Sequence, residues 1–102
     1  DLILLVNLLH LISFKETKIL VKEVSKALTP KGLSIIYGPF MRKGKLISKN
    51  DMEFHHSLIN TDPDLGYKND IDMLDLFREA GLVHLSTKKM PANNLAFITQ
   101  KP

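Results

Sequence analysis

The chain has no cysteine and no tryptophan among its 102 residues, and only five glycines and five prolines. Without cysteine there are neither disulfides nor thiolate metal sites, which fits a cytoplasmic protein. No apolar run approaches the ~18 residues of a membrane-spanning helix. The opening run Leu2 to Val6 follows no basic segment and precedes no small-residue cleavage site, so it does not read as a signal peptide. No internal repeat is present. Charge of one sign is not concentrated either. The net charge is +3, and the basic residues are scattered as KETK, KEVSK, RKGK and STKK. These runs are interleaved with carboxylates and not with aromatic residues, which favours solvated faces over a nucleic-acid surface.

What is present is an ordinary globular composition: 44% apolar and 25% charged residues exclude a disordered or low-complexity chain. The length suits one domain over residues 1–102, able to bury roughly 60–65% of its unfolded surface.

Leu2 to Val6 is a continuous apolar run and predicts a strand covered on both faces, as in a parallel sheet. Ser13 and Glu16 have capping-box spacing, and a helix over Phe14 to Leu28 follows. Ile19, Leu20, Val24, Ala27 and Leu28 form its expected apolar face. Pro30 and Gly32 end it, and GLSIIYGPF is a second strand, giving a right-handed βαβ unit. The RKGK segment is a turn, and Ser48 starts a short helix from about Asp51 to Ile59. NTDPDLGYKN is loop chemistry. Asp70 caps a helix to Ala80 with Ile71, Leu74, Phe77 and Ala80 as its buried stripe and Gly81 as its stop. Leu82 to Lys88 and Leu95 to Gln100 are strands joined by KMPANN, so the last two are antiparallel neighbours. The order β-α-β-α-α-β-β describes an α/β domain that reads as half of a larger doubly wound sheet. The first strand carries no charge, proline or bulge to blunt a free edge, and we expect something to cover it.

Ligands of open α/β sheets sit beyond the carboxyl ends of the parallel strands. That rule nominates Asn7 to His10 after the first strand and Tyr37 to Phe40 after the second. The Asn7 amide can donate and accept, and His10 can act as a base or simply hydrogen-bond a carbonyl. The adjacent His55 and His56 point about 100° apart on a helix, a poor metal-ligand spacing. DPDLGYKNDID has its glycine one place early for a calcium loop. Phe54, Phe77 and Phe97 read most simply as core.

The stretches DLILLVNLLH and LTPKGLSIIYG, followed by a terminal hairpin, resemble the C-terminal half of class I S-adenosylmethionine-dependent methyltransferases. YGPF, Gly44-Lys45, SKNDMEFHHSL, DPDLGYKND and MPANNL together resemble one small methyltransferase-like family of unknown function, with members in bacteria and animals. That family often has Trp where this chain has Leu65, and a basic residue where it has Asn69. The resemblance implies a Rossmann-like methyltransferase sheet and S-adenosylmethionine as cofactor. It places Asn7 and Leu8 beside the methionine end of that cofactor. His10, Tyr37 and Phe40 then border the acceptor pocket, with His10 or Tyr37 as candidate catalytic base. Asn50, Phe54, Asp70, Asn93 and Asn94 form a rim for the acceptor, a small molecule by preference. The glycine-rich turn and the ribose-binding acid of such enzymes have no counterpart here, since Gly32, Gly38, Gly44, Gly66 and Gly81 are too dispersed. The chain is therefore expected to be a fragment that is inactive alone. The alternative is a non-catalytic module that dimerises or binds a partner through its first strand.

Overall fold

The computed structural model describes all 102 residues. In chain order it contains β1 (Leu2–Val6), α1 (Phe14–Ala27), β2 (Leu33–Pro39), α2 (Lys49–Thr61), α3 (Asp70–Glu79), β3 (Val83–Lys89) and β4 (Asn94–Gln100). Short turns at Leu9–Leu11 and Pro91–Asn93 follow β1 and precede β4. The four strands form one sheet in the order β1-β2-β4-β3. β1 and β2 are parallel, whereas β4 runs antiparallel to both β2 and β3. This is the expected α/β arrangement, with β4 inserted between its hairpin partner and the parallel pair.

Local chemistry sets the helix starts. Ser13 Oγ accepts from the Glu16 N–H at 3.0 Å, and a Glu16 carboxylate oxygen accepts from the Ser13 N–H at 2.9 Å, completing the capping box of α1. These bonds hold the Glu16 carboxyl below its ordinary pKa. Ser48 Oγ accepts from the Asp51 N–H at 3.1 Å, so α2 begins at Lys49 and continues to Thr61, longer at both ends than its apolar pattern suggested.

Two helix faces differ from expectation. On α1 the buried positions are Thr17, Val21 and Val24, continued by Leu28, while Ile19 and Ala27 are exposed. On α3 they are Met73, Leu76 and Phe77, while Ile71 is exposed and Leu74 and Ala80 are half-buried. In both cases several apolar residues suited adjacent stripes, and the packing partner decided between them.

Val21, Val24, Met73, Leu76 and Phe77 pack with Ile36 and Phe97 in a single core on one face of the sheet. Beside them the cross-strand pair Ser34 and Thr99 is fully buried, each hydroxyl hydrogen-bonded to the other. Ile3 and Leu5 of β1 lean on this core. Leu2, Leu4 and Val6 point the other way and are more than half exposed, Leu4 at 57%. β1 is therefore an edge strand covered on one face, not the doubly covered strand that its unbroken apolar run predicted.

Candidate functional site

Beyond the carboxyl end of β1 the backbone turns at Asn7, whose φ of 55° is a left-handed conformation that asparagine tolerates well. The Asn7 N–H still donates to the Tyr37 carbonyl at 2.9 Å, carrying the ladder with β2 one step past the strand. The turn that follows buries His10, which is 6% exposed. Its ring meets Phe54 of α2 edge-on at 5.5 Å between centroids, and Tyr67 at 6.2 Å. Its carbonyl accepts from the Gly66 N–H at 3.0 Å, and its Nδ1 is buried without a hydrogen-bond partner. Burial first, and the neighbouring Lys68 charge second, push the imidazole pKa below its ordinary value. His10 is thus neutral at neutral pH, the form in which a histidine accepts a proton.

Lys68 is itself 7% exposed. Its ammonium donates to the carbonyls of Ile12 and Gly66, and burial pushes its pKa down. Beside it, Tyr67 joins this group to a second one. The Tyr67 hydroxyl donates to Asp51 Oδ1 at 2.8 Å, and its N–H donates to His55 Nδ1 at 3.0 Å. Burial and the Asp51 carboxylate both raise the phenol pKa, so Tyr67 stays protonated. Asp51 Oδ2 also accepts from Ser48 Oγ at 2.9 Å and from Asn93 Nδ2 at 3.4 Å. The Asn93 carbonyl accepts from Arg42 at 3.3 Å. Asn94 Nδ2 donates to the Tyr37 hydroxyl at 3.1 Å. Ala92 and Asn93 both have left-handed φ, at 60° and 62°, so the loop before β4 is held in a conformation costly for alanine.

The result is a chain of aromatic and polar side chains. It runs from His10 through Tyr67, Asp51 and Asn93 to Asn94 and Tyr37, along the carboxyl ends of β1 and β2. His10 and Phe54 are in contact, and Asn94 and Tyr37 are bonded, as one site would require. Other candidates lie elsewhere. Phe40 is a core ring, 2% exposed and packed at 4.9 Å against Phe97, so it offers no surface to a ligand. Asp70 accepts from the Lys43 and Ile71 N–H groups at 2.9 and 2.7 Å, which ties it to the turn at 42–45. Asn50 is exposed on α2. Leu8 lines an open groove of about 460 Å³ with Ile12, Ile19 and Leu20, whereas Tyr37 lines a different groove of about 440 Å³ on the outer sheet face. Asp51, Tyr67, Lys68 and Arg42 join the site although the sequence did not single them out. Asp51 was visible only as a helix-start residue, and Tyr67 and Lys68 only as loop. No three histidine or acidic side chains converge as metal ligands.

Solved methyltransferases share this fold. PigF with SAH superimposes with a TM-score of 0.87 at 18% identity, over 100% of this chain and 34% of that one. An O-methyltransferase family 2 protein from Planctomyces limnophilus, in complex with apigenin, gives 0.85 at 17%, over 100% and 31%. Human N-acetylserotonin methyltransferase in complex with SAM gives 0.83 at 17%, over 99% and 29%. The chain spans about a third of the length of these structures. The sheet, parallel at β1-β2 and antiparallel at β4, is thus a methyltransferase-like fold. The family model described as "Protein of unknown function (DUF938)" matches residues 1–101, and the chain belongs to that family.

Proposed function

We propose that this chain is the acceptor-side part of a S-adenosylmethionine-dependent methyltransferase that methylates a small molecule at oxygen. The observation that carries the reading is the superposition of essentially the whole chain on methyltransferases, two of them with SAM or SAH. When bound, the cofactor supplies an electrophilic methyl on a sulfonium. This chain's residues then position the acceptor and manage its proton. The exposed Asn7 side chain engages no other side chain and suits the amino acid end of the cofactor, with Leu8 beside it. Because His10 Nδ1 is buried, an acceptor hydroxyl meets the ring at Nε2, which takes the proton as the oxygen attacks. Phe54, Tyr37, Asn93 and Asn94 border the acceptor, and in-line placement supplies most of the acceleration.

The glycine-rich turn and the ribose-binding acid lie outside these residues, so the isolated chain is inactive. Calorimetric titration of S-adenosylhomocysteine is the test. The 102-residue chain should show no saturable binding up to millimolar ligand, whereas a longer protein containing it should bind at micromolar concentration. In that longer protein His10→Gln should lower turnover by roughly 10²–10⁴-fold. A longer protein that fails to bind the cofactor product would end the methyltransferase reading. The unblunted edge of β1 would then favour the second reading, a non-catalytic module that pairs through that strand.

A further inference from the structure

His10 is covered by three consecutive residues, each by a different means. The Gly66 N–H binds the His10 carbonyl, the Tyr67 ring packs edge-on to the imidazole, and the Lys68 ammonium reaches the Ile12 carbonyl just past it. Gly66 is held from both ends, because its own carbonyl accepts from Lys68 at 3.0 Å. Its φ of 116° and the 2.8 Å that would separate an added Cβ from the His55 ring leave room only for glycine. The loop is therefore built to close tightly over the turn that carries His10.

The odd member of this cover is the charge. Lys68 is buried and forms no ion pair with a carboxylate. An ammonium in such a place loses hydration that an uncharged side chain of similar length would not need. Of the other ionisable groups around His10, only Glu16 acts on Lys68 as a counter-charge, and it does so from beyond ion-pair distance. Asp51 of α2 is engaged by Tyr67, His55 accepts from the Tyr67 N–H, and Glu16 of α1 is held in its capping box. We propose that Lys68 is a positioning residue for His10, its ammonium clamping the His10–Ile12 turn to the Gly66 loop and standing as the fixed cation beside the imidazole. The inference rests on the reading of His10 as the base, and extends it by naming what clamps the turn that carries that base and what charge adds to burial in keeping it unprotonated.

The test is an NMR titration of the histidine rings in the 102-residue chain and in Lys68→Gln, Lys68→Met and Lys68→Arg. Glutamine keeps N–H donors for the two carbonyls and removes the charge, so it serves where methionine prevents folding. The His10 midpoint should rise in the glutamine and methionine variants and stay low in the arginine variant, burial holding it below the ordinary value in all of them. An unshifted His10 midpoint in folded Lys68→Gln would overturn the proposal, leaving Lys68 a backbone strap only. The titration needs neither cofactor nor acceptor. A longer protein that fails to bind S-adenosylhomocysteine therefore removes the methyltransferase reading without altering the His10 result.

Discussion

Two histidines, His10 and His55, are buried with their pKa values pushed below the ordinary 6.5, in each case by burial first. The second influence is Lys68 for His10 and His56 for His55. The consequence for stability has a definite sign. In the unfolded chain both rings bind a proton as the pH falls through 6.5, whereas the folded chain resists until a lower pH. The stability they contribute is therefore complete above that value and is lost as the pH falls towards the folded pKa values. Thermal unfolding between pH 7.5 and 5 should show a midpoint that drops on acidification. Replacing both histidines with glutamine should flatten the profile, although it lowers the midpoint at neutral pH through lost packing. A wild-type midpoint that is constant across this range would mean that neither ring is buried neutral. The same residues show why the site was only partly legible. His10 and Asn7 were found because they follow a strand, which is a positional rule. Tyr67 and Asp51 lie 16 residues apart in sequence, and their hydrogen bond exists only once α2 folds back over the turn after β1. No local pattern announces such a pair.

At the scale of elements the order and type of every helix and strand were readable, since caps, glycines and prolines mark their ends. What the sequence did not carry was which face of each element would be covered. An apolar pentapeptide such as Leu2 to Val6 has no alternation to read, so one-sided burial looks the same as two-sided burial. The β1 edge has a testable consequence. The Leu33 N–H donates to the Asp1 carbonyl and the Asn7 N–H to the Tyr37 carbonyl, so odd-numbered residues face β2. Backbone groups of Leu2, Leu4 and Val6 then point outward. An antiparallel copy paired about Leu4 would set Leu2 opposite Val6 with every outward group matched. We expect a concentration-dependent dimer in sedimentation velocity, which Leu4→Lys should abolish by placing like charges across the two-fold axis. A wild-type chain that sediments as a monomer at all concentrations would show that this edge protects itself.

For the molecule as a whole, the sheet divides it into a packed side and an open side. On β4, Phe97 lies in the core and Ile98 faces the opposite way, beside Leu4 and Ile35 in the outer groove. Neighbouring residues thus report on different surfaces. In the isolated chain Phe97→Ala should cost about 3–5 kcal/mol, because it opens a cavity where Phe40, Phe77 and Ile36 meet. Ile98→Lys should cost less than about 1 kcal/mol, because its ammonium reaches solvent. Chemical denaturation of the two variants measures the contrast directly. The matched methyltransferases leave some two-thirds of their own length outside the superposition, and an apolar sheet face is the natural seat for further structure. In a longer protein that covers this face, Ile98→Lys should become as damaging as Phe97→Ala, since the lysine would be buried without a partner. If the lysine remains harmless there, the outer face is a solvent surface in the whole protein too. The open side would then be a boundary of the fold in the whole protein, as it is in this chain.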